Sequence, residues 1–309
     1  MNIFVKTTNM DKQEWLKWRS KGIGGSDVSV LMGLNKFRSV YQLWLEKTGQ
    51  ITPEESENDF THFGTVLEPV VKAEFTKRTG LKVRAKKAIL QSSEYPFMLA
   101  DLDGVIYENG ELVLFEAKTA SAYKKDIWEQ GVPVEYQLQV QHYMAVTGAK
   151  KAYVAALVGG NWFCYHEVNR DEELIEIIIK VEKEFWEERV LQGKEPAPDG
   201  SEATTRYLNR KYDHSNGEAV ELPPDAVELC RRYDELTERL QMIKDSREAV
   251  VNQLKVYLKD NETGVVGDRK VSWKTVVSTN FDRKRLEQEK REIYDAYTTR
   301  SEYRRFMVA

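Results

Sequence analysis

Apolar residues recur every three to four positions over Asp11–Arg19, Ser39–Thr48, Phe60–Arg78 and Glu172–Gln192, which predicts four helices. A fifth starts at Pro133, a residue suited to a first helical turn, and runs to about Val146. Gly49, Gly80 and Gly148 stand where glycines end helices. Between Arg19 and Leu31 the run SKGIGGSD reads as a loop leading into a short helix, capped by Ser26 or its neighbour. β-Branched and alternating stretches predict strands at Lys82–Gln91, Met98–Tyr107, Leu112–Lys118, Ala152–Leu157 and Trp162–Val168. Glu108-Asn109-Gly110 marks a hairpin turn, and Gly159-Gly160 separates the last two strands. Helices, a strand meander, a helix, two strands and a helix make an α/β sandwich with a mixed central sheet flanked by helices.

The pattern changes after EPAPDGSEA, Glu195 to Ala203, which reads as a linker. It divides the chain into a body, residues 1–195, and a helical C-terminal extension, residues 196–309. In the extension Leu229, Tyr233, Leu236, Leu240, Ile243, Val250, Leu254 and Tyr257 follow alternating steps of four and three, with Arg247 at one seam position. That is a heptad seam, predicted to pack on the chain's own last helix; assembly and partner binding are the alternatives. Gly264–Ser278 reads as a β-hairpin turning at Gly267-Asp268, and a charged helix starts at Asp282.

Composition adds limits. The chain has 309 residues, 46 Lys and Arg against 50 Asp and Glu, and a net charge of −4. The charge is uneven: Arg269 to Ala309 carries a balance of +5 and the rest −9. The basic segment is a candidate phosphate-facing surface, or simply a solvated helical face. No apolar run is long enough to cross a membrane, and the first residues have no apolar stretch of the secretory kind. Two distant cysteines, Cys164 and Cys230, exclude a disulfide framework and fit a reducing cytoplasm.

The candidate chemistry lies in ADLDGVIYENGELVLFEAKTA. Glu116 and Lys118 share a face of their strand, and Asp103 meets them if the preceding strand pairs across the turn. Two carboxylates and a lysine on a buried strand need compensation, which a hard divalent cation supplies; the Ala117 carbonyl is a further ligand. Lys118 would then orient or activate a water. An Asp-Gly turn with a surface salt bridge accounts for the same residues. Glu68, in HFGTVLEPV, offers a third carboxylate from a helix, and Pro69 predicts a kink or boundary beside it. Tyr136, Gln139 and Tyr143 fall on one side of a helix, able to hold a phosphate or base edge, or to pack. Arg19 and Ser26 flank a Gly-rich turn that suits an anion.

Taken together, WRSKGIGGSDV, HFGTVLEPVV, LADLDGVI, FEAKTA and YQLQVQHYMAVTG resemble the YqaJ-type viral recombinases, the group containing phage lambda exonuclease, within the PD-(D/E)xK nuclease superfamily. The resemblance spans about Trp15 to Trp186 with all five motifs in order. It implies a restriction-endonuclease-like core and a Mg²⁺-dependent exonuclease, with Mn²⁺ able to substitute, that degrades one strand of duplex DNA from a 5′ end. By the same resemblance Asp103 and Glu116 are metal ligands, Lys118 is the catalytic lysine, Glu68 lies near the metals, Gln139 and Tyr136 belong to the active site, and Arg19 and Ser26 hold the 5′-phosphate. A homotrimer around double-stranded DNA and a single-strand annealing protein as partner are also implied. LDG stands where the superfamily name records a proline, and Gly24 where lambda exonuclease has a hydroxyl residue, which makes the phosphate pocket weaker or more dependent on backbone amides. Asp101 is an extra acid with no assigned role. A structure-specific endonuclease and a non-catalytic DNA-end scaffold are the competing readings.

Overall fold

The computed structural model describes residues 1–52 and 59–308. The chain runs β1 (Asn2–Lys6), α1 (Lys12–Arg19), β2 (Ile23–Gly24), α2 (Gly25–Leu31), α3 (Val40–Lys47), α4 (Asp59–Thr79), β3 (Ala88–Gln91), β4 (Met98–Asp101), β5 (Gly104–Glu108), β6 (Glu111–Ala120), α5 (Lys125–Gln130), α6 (Val134–Thr147), β7 (Lys151–Val158), β8 (Trp162–Asn169), α7 (Glu172–Glu184) and α8 (Glu202–Lys211). Then follow α9 (Ala226–Leu258), β9 (Thr263–Val266), β10 (Arg269–Ser272), α10 (Arg283–Glu289) and α11 (Arg291–Tyr297). Local chemistry sets several helix starts: Asp11, Ser39 and Asp171 each accept an amide hydrogen bond from the third residue on.

The fold is mixed α/β with two mixed sheets rather than the single central sheet predicted. One has the order β1-β3-β4-β2 and the other β5-β6-β7-β8. The predicted strand Met98–Tyr107 breaks at Leu102-Asp103, where the chain leaves the first sheet and enters the second. Of the predicted strand Lys82–Gln91, only Ala88–Gln91 is continuous; Arg84 makes one isolated bridge to Val105.

In the second sheet β6 pairs antiparallel with β5 and parallel with β7. The parallel pair needs a crossover, and α5 and α6 supply it. Alternation along β6 divides the core: Leu114 joins the cluster that includes α6, while Val113 and Phe115 join Val71 and Phe75 of α4 on the opposite face. Glu116 and Lys118 therefore share the face of Leu114.

Other differences have local causes. The chain enters α2 from Gly24, not Ser26, because the Asp27 carboxylate accepts the Gly24 N–H at 3.0 Å. α4 continues through Pro69; the proline is exposed, and Val71 and Phe75 anchor the turns beyond it. α7 passes into a wider π-type coil over Phe185–Leu191, where Trp44 Nε1 donates to the Arg189 carbonyl at 2.8 Å.

Two compact units are formed, Met1–Lys211 and Tyr212–Ala309. The boundary lies beyond the Glu195 expected from composition, because α8 buries Ala203, Thr204 and Tyr207 within the first unit. In the second unit, α9 has 33 residues, about 50 Å of helix, and among its residues Leu258 is buried. Tyr233 meets Phe306 edge-on at 6.1 Å. The seam is otherwise open rather than packed on the last helices: Leu236, Leu240, Ile243 and Val250 are each more than half exposed. The final charged stretch forms two short helices, not one, and Arg285 and Arg291 pair with acids one turn away. No helix among the described residues is long and apolar enough to cross a membrane.

Candidate active site

Three structural layers meet at Glu116. β6 supplies Glu116 and Lys118, α6 supplies Gln139 and Tyr143, and the crossing between the sheets supplies Asp103. Lys118 Nζ and Gln139 Nε2 both donate to Glu116 Oε1, each at 2.6 Å. Glu116 is buried, and its second oxygen, Oε2, is buried with no partner. Asp103 Oδ2 accepts the Ala117 N–H at 2.8 Å, so the strand backbone fixes that carboxyl beside Glu116.

The electrostatics describe a site short of positive charge. Burial, then the neighbouring Glu116, pushes the Asp103 carboxyl up to about 8. Burial raises Glu116 as well, with Lys118 offsetting part of the effect. Burial opposes the charge on Lys118, but Glu116 and Asp103 outweigh it and hold the ammonium protonated. No group of three His, Cys, Asp or Glu side chains among the described residues is gathered closely enough to cage an ion. An incomplete set suits Mg²⁺, which takes one or two carboxylates and completes its shell with water and substrate oxygens. The unpartnered Glu116 Oε2 is an acceptor atom that such an ion could take.

Glu68 arrives from α4 on the opposite side of the sheet. Its carboxylate pairs with Lys72 one turn away, while its charge raises Asp101, Asp103 and Glu116. It is near the carboxylate pair but not hydrogen bonded to it.

Tyr136 is half-buried, stacked on Trp128 at 5.7 Å, with Lys118 Nζ 4.9 Å from its ring centre. Tyr143 differs from the expectation of a DNA contact. It is only 6% exposed, and its hydroxyl accepts from Gln139 Nε2 at 3.1 Å, so it supports Gln139 from inside the core.

Arg19 and Ser26 do come together: Arg19 Nη2 donates to Ser26 Oγ at 2.9 Å. The Arg19 guanidinium lies 4.6 Å from the centre of the Trp15 ring, and Trp15 Nε1 donates to Asp101 Oδ2 at 2.6 Å. Asp101 thus holds an indole that backs the candidate phosphate-binding arginine. Of the backbone amides in the Gly-rich turn, that of Gly24 is engaged by Asp27.

Sequence reasoning missed Asp27. It is buried at the start of α2 and pairs with Lys47 at 2.7 Å and Arg38 at 3.0 Å. Burial would raise its carboxyl, but Lys47, Arg38 and Arg19 outweigh burial and hold it well below the usual range. Lys47 also donates to the Arg19 carbonyl at 3.3 Å, tying the end of α1 to α2. The signal for it was an acid three residues after Gly24 at a helix start. His142 was missed too. Its Nε2 donates to the Leu99 carbonyl at 2.8 Å and Nδ1 faces Glu182 Oε1 at 2.7 Å, pinning α6 to β4 and α7 beneath Gln139.

Ser26, Lys118, Tyr136 and Gln139 line one cleft of about 590 Å³, with Lys36 and Lys124 also on its wall. Ser26, which Arg19 holds, and Lys118 and Gln139, which hold Glu116, thus line a single space large enough for a nucleotide.

The YqaJ-like viral recombinase domain is matched over residues 14–150. A Bacillus subtilis (strain 168) protein, "Uncharacterized protein YqaJ", is 42% identical over 310 residues, covering 99% of this chain and 97% of that one. This chain belongs to the YqaJ-like viral recombinase family. The matched domain contains every candidate residue from Arg19 to Tyr143, and the whole-length relative extends the kinship through α9 and the hairpin. Among solved structures, an alkaline exonuclease of Laribacter hongkongensis is 23% identical, covering 65% of this chain and 97% of that one at a TM-score of 0.49. A phage-related exonuclease of Haemophilus somnus 129PT is 12% identical, covering 56% and 96% at a TM-score of 0.44.

Proposed function

We propose that this chain is a Mg²⁺-dependent exonuclease of the PD-(D/E)xK type, which enters duplex DNA at an end and degrades one strand from 5′ to 3′. The observation that carries the reading is the set around Glu116: Lys118 and Gln139 both donate to one of its oxygens and line a cleft that Ser26, the hydrogen-bond partner of Arg19, lines as well. Membership of a recombinase family supports a product with a 3′ single strand, handed to a single-strand annealing protein, and a ring-like homotrimer as the working assembly.

The residues divide the work as follows. Asp103 and Glu116 would hold Mg²⁺, whose chemistry is to neutralise the scissile phosphate and acidify a bound water. Glu68 stands ready to hold a water or assist a second ion. Lys118, protonated against Glu116, does not take a proton in this state; it donates to the attacking water or to a phosphate oxygen as charge develops there. Gln139 keeps Glu116 oriented, and Tyr143 keeps Gln139 oriented. Arg19 draws the 5′-phosphate into register, so that the cut falls a fixed distance from the end.

The deciding assay uses linear duplex labelled at one 5′ or one 3′ terminus, with closed circular DNA as control. With Mg²⁺, the 5′ label is released rapidly as mononucleotide and the circle stays closed. A cut circle replaces this reading with an endonuclease, and DNA-end binding without cleavage replaces it with a scaffold.

A further inference from the structure

The heptad seam of α9 is uncovered along most of its length, and its flanks carry one sign of charge. Leu236, Leu240, Ile243 and Val250 form an apolar row that Arg247 interrupts, each at least half exposed. The charged side chains bordering that row within the helix are Arg232, Arg239 and Lys244, and Arg247 sits in the row itself. The acids Glu228, Glu235 and Glu248 lie on the outer face, where Glu228 and Glu235 pair with Arg231 and Glu248 with Lys255. Among the described residues, Arg232, Arg239, Lys244 and Arg247 form no ion pair, and all four are exposed.

This arrangement argues against a second copy of the same helix. In a parallel pair Arg239 of one chain would face Lys244 of the other, and Arg247 would meet Arg247. In an antiparallel pair Arg239 would face Ser246 and Lys244 would face Thr237, so no acid would answer either cation. An apolar seam draws any amphipathic helix, and the flanking charge selects among them.

We propose that the α9 seam is a docking surface for a partner helix whose own apolar heptad is bordered by Glu or Asp. The inference does not depend on the nuclease reading.

The test uses the full chain and two synthetic 28-residue peptides with Leu at both seam positions, one with Glu and one with Lys at both flanking positions. Fluorescence anisotropy should show saturable, salt-weakened binding of the Glu peptide and at least tenfold weaker binding of the Lys peptide. The triple variant Arg232→Glu, Arg239→Glu, Lys244→Glu should reverse that order while circular dichroism shows its helix content retained. Leu240→Asp should abolish binding of both. Equal binding of the two peptides, or no binding of the Glu peptide, overturns the proposal. So does self-association of the full chain, measured by sedimentation, that Leu240→Asp abolishes, because the occupant is then a second copy.

Discussion

Gln139 and Lys118 donate to the same oxygen of Glu116, each at 2.6 Å, and leave the other Glu116 oxygen buried and unpartnered. Two donors on one oxygen fix the carboxylate's rotation and leave the second oxygen as a free acceptor. Removing either donor should therefore disturb different steps.

Gln139→Leu removes the orienting bond and keeps the charge balance. The Mg²⁺ concentration for half-maximal cleavage should rise about 10- to 100-fold, the usual effect of losing a group that orients a metal ligand. An unchanged Mg²⁺ titration would show that Lys118 alone orients Glu116.

Lys118→Ala should lower the cleavage rate by about 10²–10⁴-fold. DNA-end binding, measured by gel shift in Ca²⁺, should persist. Retained Mg²⁺-dependent turnover in this variant would remove Lys118 from the chemistry.

Arg19→Ala should reduce the rate on 5′-phosphorylated ends toward that on 5′-hydroxyl ends, with the latter little changed. The ratio of the two rates is the readout. Trp15→Phe, which loses the indole N–H to Asp101 but keeps an aromatic face, should weaken the same ratio by a smaller factor.

Asp27→Asn leaves Lys47 and Arg38 without their shared carboxylate in the core. Breaking a buried pair by removing one partner should destabilise the first unit by about 3–5 kcal/mol at pH 7. The folded protein holds the Asp27 carboxyl below its unfolded value, so its contribution is complete above the unfolded value and falls as pH drops toward the folded one. Urea unfolding should show a wild-type advantage that is constant above about pH 5 and narrows below about pH 4. A gap independent of pH would assign the loss to packing instead.

Gly25 has no room for a side chain: a Cβ there would lie 2.6 Å from Tyr143 Cε1 and 2.9 Å from Gln139 Cγ. Gly25→Val should destabilise by about 1–3 kcal/mol through overpacking and shift the Mg²⁺ titration in the direction of Gln139→Leu. Thermal melting and the titration together check it. Loss of stability with an unaltered titration would mean that α6 holds Gln139 independently of α2.

Much of this site is legible from local pattern. Alternation along β6 is enough to place Glu116 and Lys118 on one face, because successive strand residues point to opposite sides whatever the sheet does. Helical spacing likewise assigns Gln139 and Tyr143 to neighbouring turns, and Asp11 and Ser39 announce their helices through the amides they cap. The heptad of α9 is legible in residue spacing alone, whereas its openness is not, because spacing does not say what covers a seam.

Tertiary structure decided what those faces meet. Helical spacing cannot tell a surface tyrosine from a core one, and Tyr143 is buried in the core where Gly25 lets α2 approach α6 closely. Asp27 looks like an ordinary first-turn acid, since its partners Arg38 and Lys47 lie a helix away in sequence and are brought to it by packing. The break at Leu102-Asp103 is hidden because the apolar run is continuous across it, although it passes between two sheets. Periodicity encodes which face of an element is apolar; long-range burial chooses its neighbour, and here that choice brings Asp103, Glu116, Lys118 and Gln139 together.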